Sequence, residues 1–239
     1  MVMINNLDTI CGFMDCQAEE MRPGFFHPVS LVIRRKDFAD HAAIDVFKTR
    51  GRRSQEYFIR HWLVRSSKEL RDRFEAMSRW ADMFHGRLYF GLDAKDLKKV
   101  LSAQIAFEAG ELSDIDESSV SAYCHSFHSI PRQSETSVTA LRCFMVDADV
   151  APGAGGAEVA AAAENLKRIA ESASPFRVFV FPSKTGFHLA GRIRGAGGSA
   201  DLRRFEAHLA EYLADDSCPL TEASLKKNSM VNLYMNTLQ

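Results

Sequence analysis

Leu141-Arg142-Cys143-Phe144-Met145-Val146-Asp147-Ala148-Asp149 is the stretch whose reading decides the fold. Its first seven positions have the short, mostly apolar run of a strand buried in a core, and the run ends on two carboxylates. Residues two apart in a strand point to one face, so Asp147 and Asp149 are expected together at the rim of a buried strand. By itself Asp147-Ala148-Asp149 also reads as a strand-ending turn, helped by Pro152 and Gly153. The apolar Phe144-Met145-Val146 tips the balance, because burying the strand fixes its carboxylates at the edge of the core.

Downstream, residues 157–173 predict a helix with Val159, Ala163, Leu166 and Ile169 on one face, and 177–181 predict a strand. Pro182-Ser183-Lys184-Thr185-Gly186 reads as a turn, 187–193 as a strand, 200–214 as a helix and 230–235 as a last strand. The order is β-α-β-β-α-β, an α+β module of RRM or ferredoxin-like type over residues 138–239. Right-handed crossovers set the first and third strands side by side and antiparallel, which brings His188 close to the two aspartates.

Upstream, residues 1–137 read as a separate N-terminal α/β module. Strands are expected at 29–34, 57–64 and 87–90, with helices over 67–84 and from near Asp93 to Phe107. Residues 110–137 are polar and acid-rich and read as a long loop. The basic segment 34–65 carries Arg34, Arg35, Lys36, Lys48, Arg50, Arg52, Arg53, Arg60 and Arg65 among aromatic residues. It fits either a phosphate-binding surface or a solvated loop.

Composition bounds these readings. The chain has 239 residues, 46% hydrophobic and 26% charged, which excludes wholesale disorder and fibrous structure. A net charge of −1 excludes a protein that coats nucleic acid by bulk charge. Five cysteines without a Cys-x-x-Cys pair fit a reducing compartment, and no apolar run reaches the ~20 residues of a membrane span. A cytoplasmic protein without membrane contact is expected.

The Ser183–His188 turn presents a hydroxyl, an ammonium group, backbone N–H groups beside a glycine and an imidazole, all donors suited to phosphate oxygens. Paired carboxylates suit Mg²⁺ or Mn²⁺, hard ions often shared with substrate phosphates. A hydrophobic strand ending Asp-x-Asp, followed by Ser-x-x-Gly-x-His on a hairpin, resembles the archaeo-eukaryotic primase superfamily, the primase-polymerases. The resemblance is to small phage and bacterial primase-like proteins, through Arg87-Leu88-Tyr89-Phe90, Ser183 to Leu189 and Lys227-Asn228-Ser229 ahead of Leu233-Tyr234. It implies a divalent-metal-dependent nucleotidyltransferase with Asp147 and Asp149 as metal ligands and Ser183 and His188 as nucleotide contacts. Lys184, Arg87, Lys226 and Lys227 join them as candidate triphosphate ligands. Nucleoside triphosphates and a single-stranded template are the implied partners, with any replicative helicase supplied by another chain.

The family's third acidic residue, expected on a late strand, is missing from 230–234, leaving Glu222, Asp215 and Asp216 as candidates. Two other readings therefore stay open: a nucleic-acid- or nucleotide-binding module without catalysis, and a metal-dependent nuclease or phosphohydrolase. Cys124, His125 and His128 are zinc-ligand types crowded too closely for a structural zinc site. Neither a Walker-type phosphate loop nor a Gly-x-Ser-x-Gly elbow is present.

Overall fold

A computed structural model describes residues 3–34, 37, 48–49, 52–53, 56–111, 139–173, 177–193, 198–215, 217–226 and 230–236. Side chains are described for all of these except 48–49, 52–53, 57, 110–111 and 198–199. Cys124, His125, His128, Asp216, Lys227, half of the basic segment (Arg35, Lys36 and Arg50 included) and most of the acidic loop lie outside the described residues. The architecture is mixed α+β, with antiparallel sheets and five helices among those residues.

The larger sheet contains β1 (Met3–Asn5), β2 (Phe25–Arg34), β5 (Glu56–Val64), β6 (Arg87–Gly91), β7 (Ala94–Asp96), β8 (Thr139–Leu141) and β13 (Met230–Asn236). β13, β6 and β2 lie side by side, and β5 borders β2 on its other edge. β3 (Lys48–Thr49) and β4 (Arg52–Arg53) form a small separate ladder. Three helices accompany this half: α1 (Leu7–Asp15), α2 (Ser67–Met83) and α3 (Leu97–Glu111). α2 starts where Ser66 accepts from Glu69 N–H, while the Glu69 carboxylate reaches back to Arg65 N–H at 2.9 Å. The helix expected from Asp93 begins instead at Leu97, because 94–96 pair as a strand with β2 and β8.

The second sheet has four strands in the order β10 (Val178–Pro182), β11 (Gly186–Arg192), β9 (Cys143–Val150), β12 (Leu220–Leu225). β9 and β11 are antiparallel neighbours, with His188 opposite Asp147 and Gly186 opposite Asp149. α4 (Gly156–Ala173) and α5 (Gly198–Leu213) pack on one face. The alternation along β9 explains the burial. Phe144, Val146 and Ala148 enter the core under α4 and α5, while Cys143 and Met145 enter the core shared with the larger sheet. Asp147 and Asp149 continue that second face past the edge of its core. The strand expected at 230–235 to complete this sheet instead joins the larger one, and 220–225 takes its place. β13 is so apolar because it is buried from Val231 to Met235.

Polar groups tie the sheets together. Asn6, itself buried, donates through Nδ2 to Pro182 O at 3.0 Å and Asn232 O at 2.8 Å, joining β10 to β13. Asp93 accepts from Cys143 N–H at 2.7 Å, and Lys95 donates to Thr139 at 2.9 Å, fixing the passage from β8 to β9. Burial raises the Asp93 carboxyl and lowers the Lys95 ammonium, each against the attraction of the other.

His27 is fully buried, stacked on Phe90 at 5.0 Å, with Nδ1 3.0 Å from Gly91 O. Burial depresses its pKa from 6.5 to about 4. Because the folded value lies below the unfolded one, stability is complete above about pH 6.5 and falls as pH drops toward 4. The full loss is about 3 kcal/mol. His27→Gln keeps an N–H for Gly91 O, and urea unfolding midpoints should then fall less steeply over this window than in the parent.

Candidate functional site

The two sheets enclose a cleft of about 740 Å³. Its small-sheet wall presents Met145, Asp147, Asp149, Ser183, Lys184, Thr185, His188 and Lys226. Its large-sheet wall presents Val32, Arg34, Glu56, Phe58, Arg87, Tyr89, Met230 and Asn232. Seven of the residues singled out in the sequence therefore line one cleft: Asp147, Asp149, Ser183, Lys184, His188, Arg87 and Lys226.

The aspartates are placed by β9 and held by their neighbours. His188 Nε2 lies 3.2 Å from Asp147 Oδ1, and Lys226 Nζ lies 3.7 Å from Oδ2. Hydrogen bonding from His188, helped by the charge of Lys226, holds the Asp147 carboxyl below the usual carboxylate range although partial burial opposes it. Lys226 is positioned by its own backbone, whose N–H donates to Met145 O at 3.0 Å. Asp149 accepts from Thr185 Oγ1 at 2.5 Å, and Val150 N–H donates to Thr185 O at 3.1 Å, so the turn is fastened to the end of β9. The turn itself closes with Ser183 N–H donating to Gly186 O at 3.0 Å. Gly186 is required there: a Cβ would lie 2.1 Å from Ala148 O.

On the opposite wall, Arg87 is buried and grips Asp37 with Nε–Oδ2 at 2.7 Å and a second bond from Nη2 to Oδ1. Arg34 bonds Glu56 at 3.0 Å and donates to the Tyr89 hydroxyl at 3.3 Å. Both arginines are thus oriented by carboxylates. Lys184 has no ion-pair partner among the described residues.

Glu222 stands on the exposed edge strand β12 as the register partner of Asp149, sharing its face, but does not line the cleft. Asp215 sits after α5, where it binds Ser217 N–H at 2.8 Å and the Ser217 hydroxyl at 2.7 Å. Of the basic segment, Arg34 reaches the cleft, whereas Arg60 stacks over Trp80 at 4.6 Å and Trp62 at 5.2 Å. Arg65 pairs with Glu69 at 3.7 Å. Sequence reasoning did not single out Tyr89, Thr185, Ser224 and Asn232 as site residues. Ser224 is the register partner of Asp147, and its buried hydroxyl has no partner among the described residues.

Among the described residues no three His, Cys, Asp or Glu donors converge as a ready-made metal site. The chemistry of the donors fits a hard divalent ion nonetheless. Two carboxylates share one face with a third as cross-strand neighbour, and Mg²⁺ characteristically takes one or two carboxylates plus substrate phosphates. No described helix is long and apolar enough to cross a membrane. No protein-family model, curated protein or solved structure matches this chain.

Proposed function

We propose that the cleft binds a nucleoside triphosphate with a divalent cation, and that the protein is a primase-polymerase-like nucleotidyltransferase extending a nucleic-acid strand. One observation carries the reading: Asp147 and Asp149 share a strand face against a turn of phosphate-type donors inside a single cleft. The four-stranded unit, with strand order β10-β11-β9-β12 under two helices, is read as the RRM-like catalytic module.

Asp147 and Asp149 would hold Mg²⁺ or Mn²⁺, with Glu222 the nearest source of a third carboxylate along the strand register. A divalent ion held there would supply charge neutralisation for the triphosphate and Lewis acidity for a 3′-hydroxyl. Ser183, Lys184 and the turn's backbone hold phosphate oxygens, a positioning and charge-stabilising role. His188 keeps Asp147 oriented through Nε2, and that same nitrogen would turn to a phosphate oxygen when Asp147 turns to a metal, since Nδ1 is buried. Arg34 and Arg87, held by Glu56 and Asp37, retain N–H donors for anionic ligand on the far wall.

His188→Ala should weaken triphosphate affinity about tenfold, the worth of one charge-assisted hydrogen bond. Mn²⁺ affinity of the nucleotide-free protein should change much less. Equal loss of both in parallel titrations would make His188 a metal ligand instead.

A second reading, nucleotide binding without turnover, is favoured by one feature. Asp147 is already engaged by His188 and Lys226. Labelled nucleotides, a primed single-stranded template and Mn²⁺ separate the readings. Extension is expected; binding without extension supports the second reading, and strand cleavage supports a nuclease.

A further inference from the structure

We infer that Asn232 contacts the nucleobase, its amide oxygen accepting from an exocyclic amino group on the base edge, such as adenine carries; this rests on the nucleotide reading above. The cleft offers apolar surface as well as charge: Val32, Phe58, Met145 and Met230 line it between the carboxylates and turn donors of Asp147 to His188 and the arginines Arg34 and Arg87. Val32 and Phe58 are cross-strand partners, and Met230 and Asn232 belong to one strand. Met145 precedes Asp147 by two positions on the same face of β9, about 7 Å along the strand. A flat aromatic ring fits thioether and phenyl surfaces of this kind.

Asn232 is the polar position within Val231-Asn232-Leu233-Tyr234-Met235, and it is 5% exposed. Its backbone carbonyl is satisfied by Asn6, yet its side-chain Oδ1 is buried with no hydrogen-bond partner among the described residues. Such an oxygen is costly to leave unsatisfied, and a leucine of similar volume would avoid the cost. A β-bulge falls between Asn232 and Tyr234, a device that re-aims side chains beside binding sites. The register sets Asn232 opposite Tyr89, so both belong to the wall of the cleft. A buried, unpartnered acceptor on the cleft wall, beside Met230 and opposite Tyr89, matches the edge of a base carrying an N–H donor.

The test is calorimetric titration of the full chain and Asn232→Leu with Mn²⁺ and four probes: ATP, dATP, purine riboside triphosphate and tripolyphosphate. Wild type should bind ATP and dATP about tenfold tighter than purine riboside triphosphate, which lacks the amino group. Asn232→Leu should lose that factor while keeping tripolyphosphate affinity and thermal midpoint. The inference is overturned if Asn232→Leu keeps the preference, if it weakens tripolyphosphate equally, or if the loss appears with ATP and not dATP. The ligand-side comparison in wild type stands even if the variant fails to fold, and absence of the preference there also overturns the inference. Wild type binding none of the four probes would instead remove the nucleotide reading itself.

Discussion

Asp147→Asn and Asp149→Asn are each expected to cut Mn²⁺-dependent nucleotide binding and turnover by at least about 100-fold. Loss of a residue that merely supports a metal ligand costs 10–100-fold, and loss of the ligand itself should cost more. Folding stability should change by no more than about 1 kcal/mol, because both carboxylates sit at the rim of the core and the Asp147 side chain is 34% exposed. The Asp147 contribution has a definite pH sign. Its folded pKa is lowered by His188 and Lys226, so the stability it adds is present above the ordinary carboxylate range and lost as pH falls through the lowered value. Parallel Mn²⁺·ATP titrations and urea unfolding of the parent and both variants check both halves of the expectation.

Gly186→Ala should produce the largest loss of stability at the site. The added methyl would meet Ala148 O at 2.1 Å and Asp149 Cα at 3.1 Å, all backbone of the neighbouring strand. Relief requires β11 to move away from β9, and overpacking of this kind typically costs 1–3 kcal/mol, so about 3 kcal/mol is expected. The same movement carries His188 away from Asp147 and loosens the Thr185–Asp149 bond, so triphosphate affinity should fall at least tenfold as well. Gly156→Ala is the matched control, since a Cβ there meets nothing within 4 Å and the position opens α4. It should be neutral or slightly stabilising. Urea midpoints for the two variants measure the contrast.

The part of the fold that locates the candidate site was legible because its signals are local. The apolar run before Asp147, the turn at Ser183–Gly186 and the crossover rule together bring His188 near the two aspartates, and the structure pairs it with Asp147. The fourth strand was misassigned for a physical reason. Met230–Asn236 is apolar because it lies inside the larger sheet, whereas β12, Leu-Thr-Glu-Ala-Ser-Leu, is an exposed edge with little hydrophobic signal. β1 and α1 lie where no element was expected, although Ile10, Phe13 and Met14 are core.

Long-range partners were beyond the reach of sequence spacing. Arg87 is joined to Asp37, 50 residues away, and Asn6 reaches 176 and 226 residues to Pro182 and Asn232. Asn232 did leave a signal. A polar residue inside the apolar run Met230 to Tyr234 is the informative observation, more so than the missing carboxylate. Arg60 shows the reverse case: a cation counted with the basic segment is spent on two tryptophan rings.

The most direct test of the central claim is a crystal structure with Mn²⁺ and a non-hydrolysable nucleoside triphosphate, read by the anomalous scattering of manganese. The account predicts an anomalous peak bridging Asp147 and Asp149, with the triphosphate against the Ser183–Gly186 turn and within reach of Lys184 and His188. Manganese or nucleotide bound elsewhere, with this cleft left to water, would contradict it.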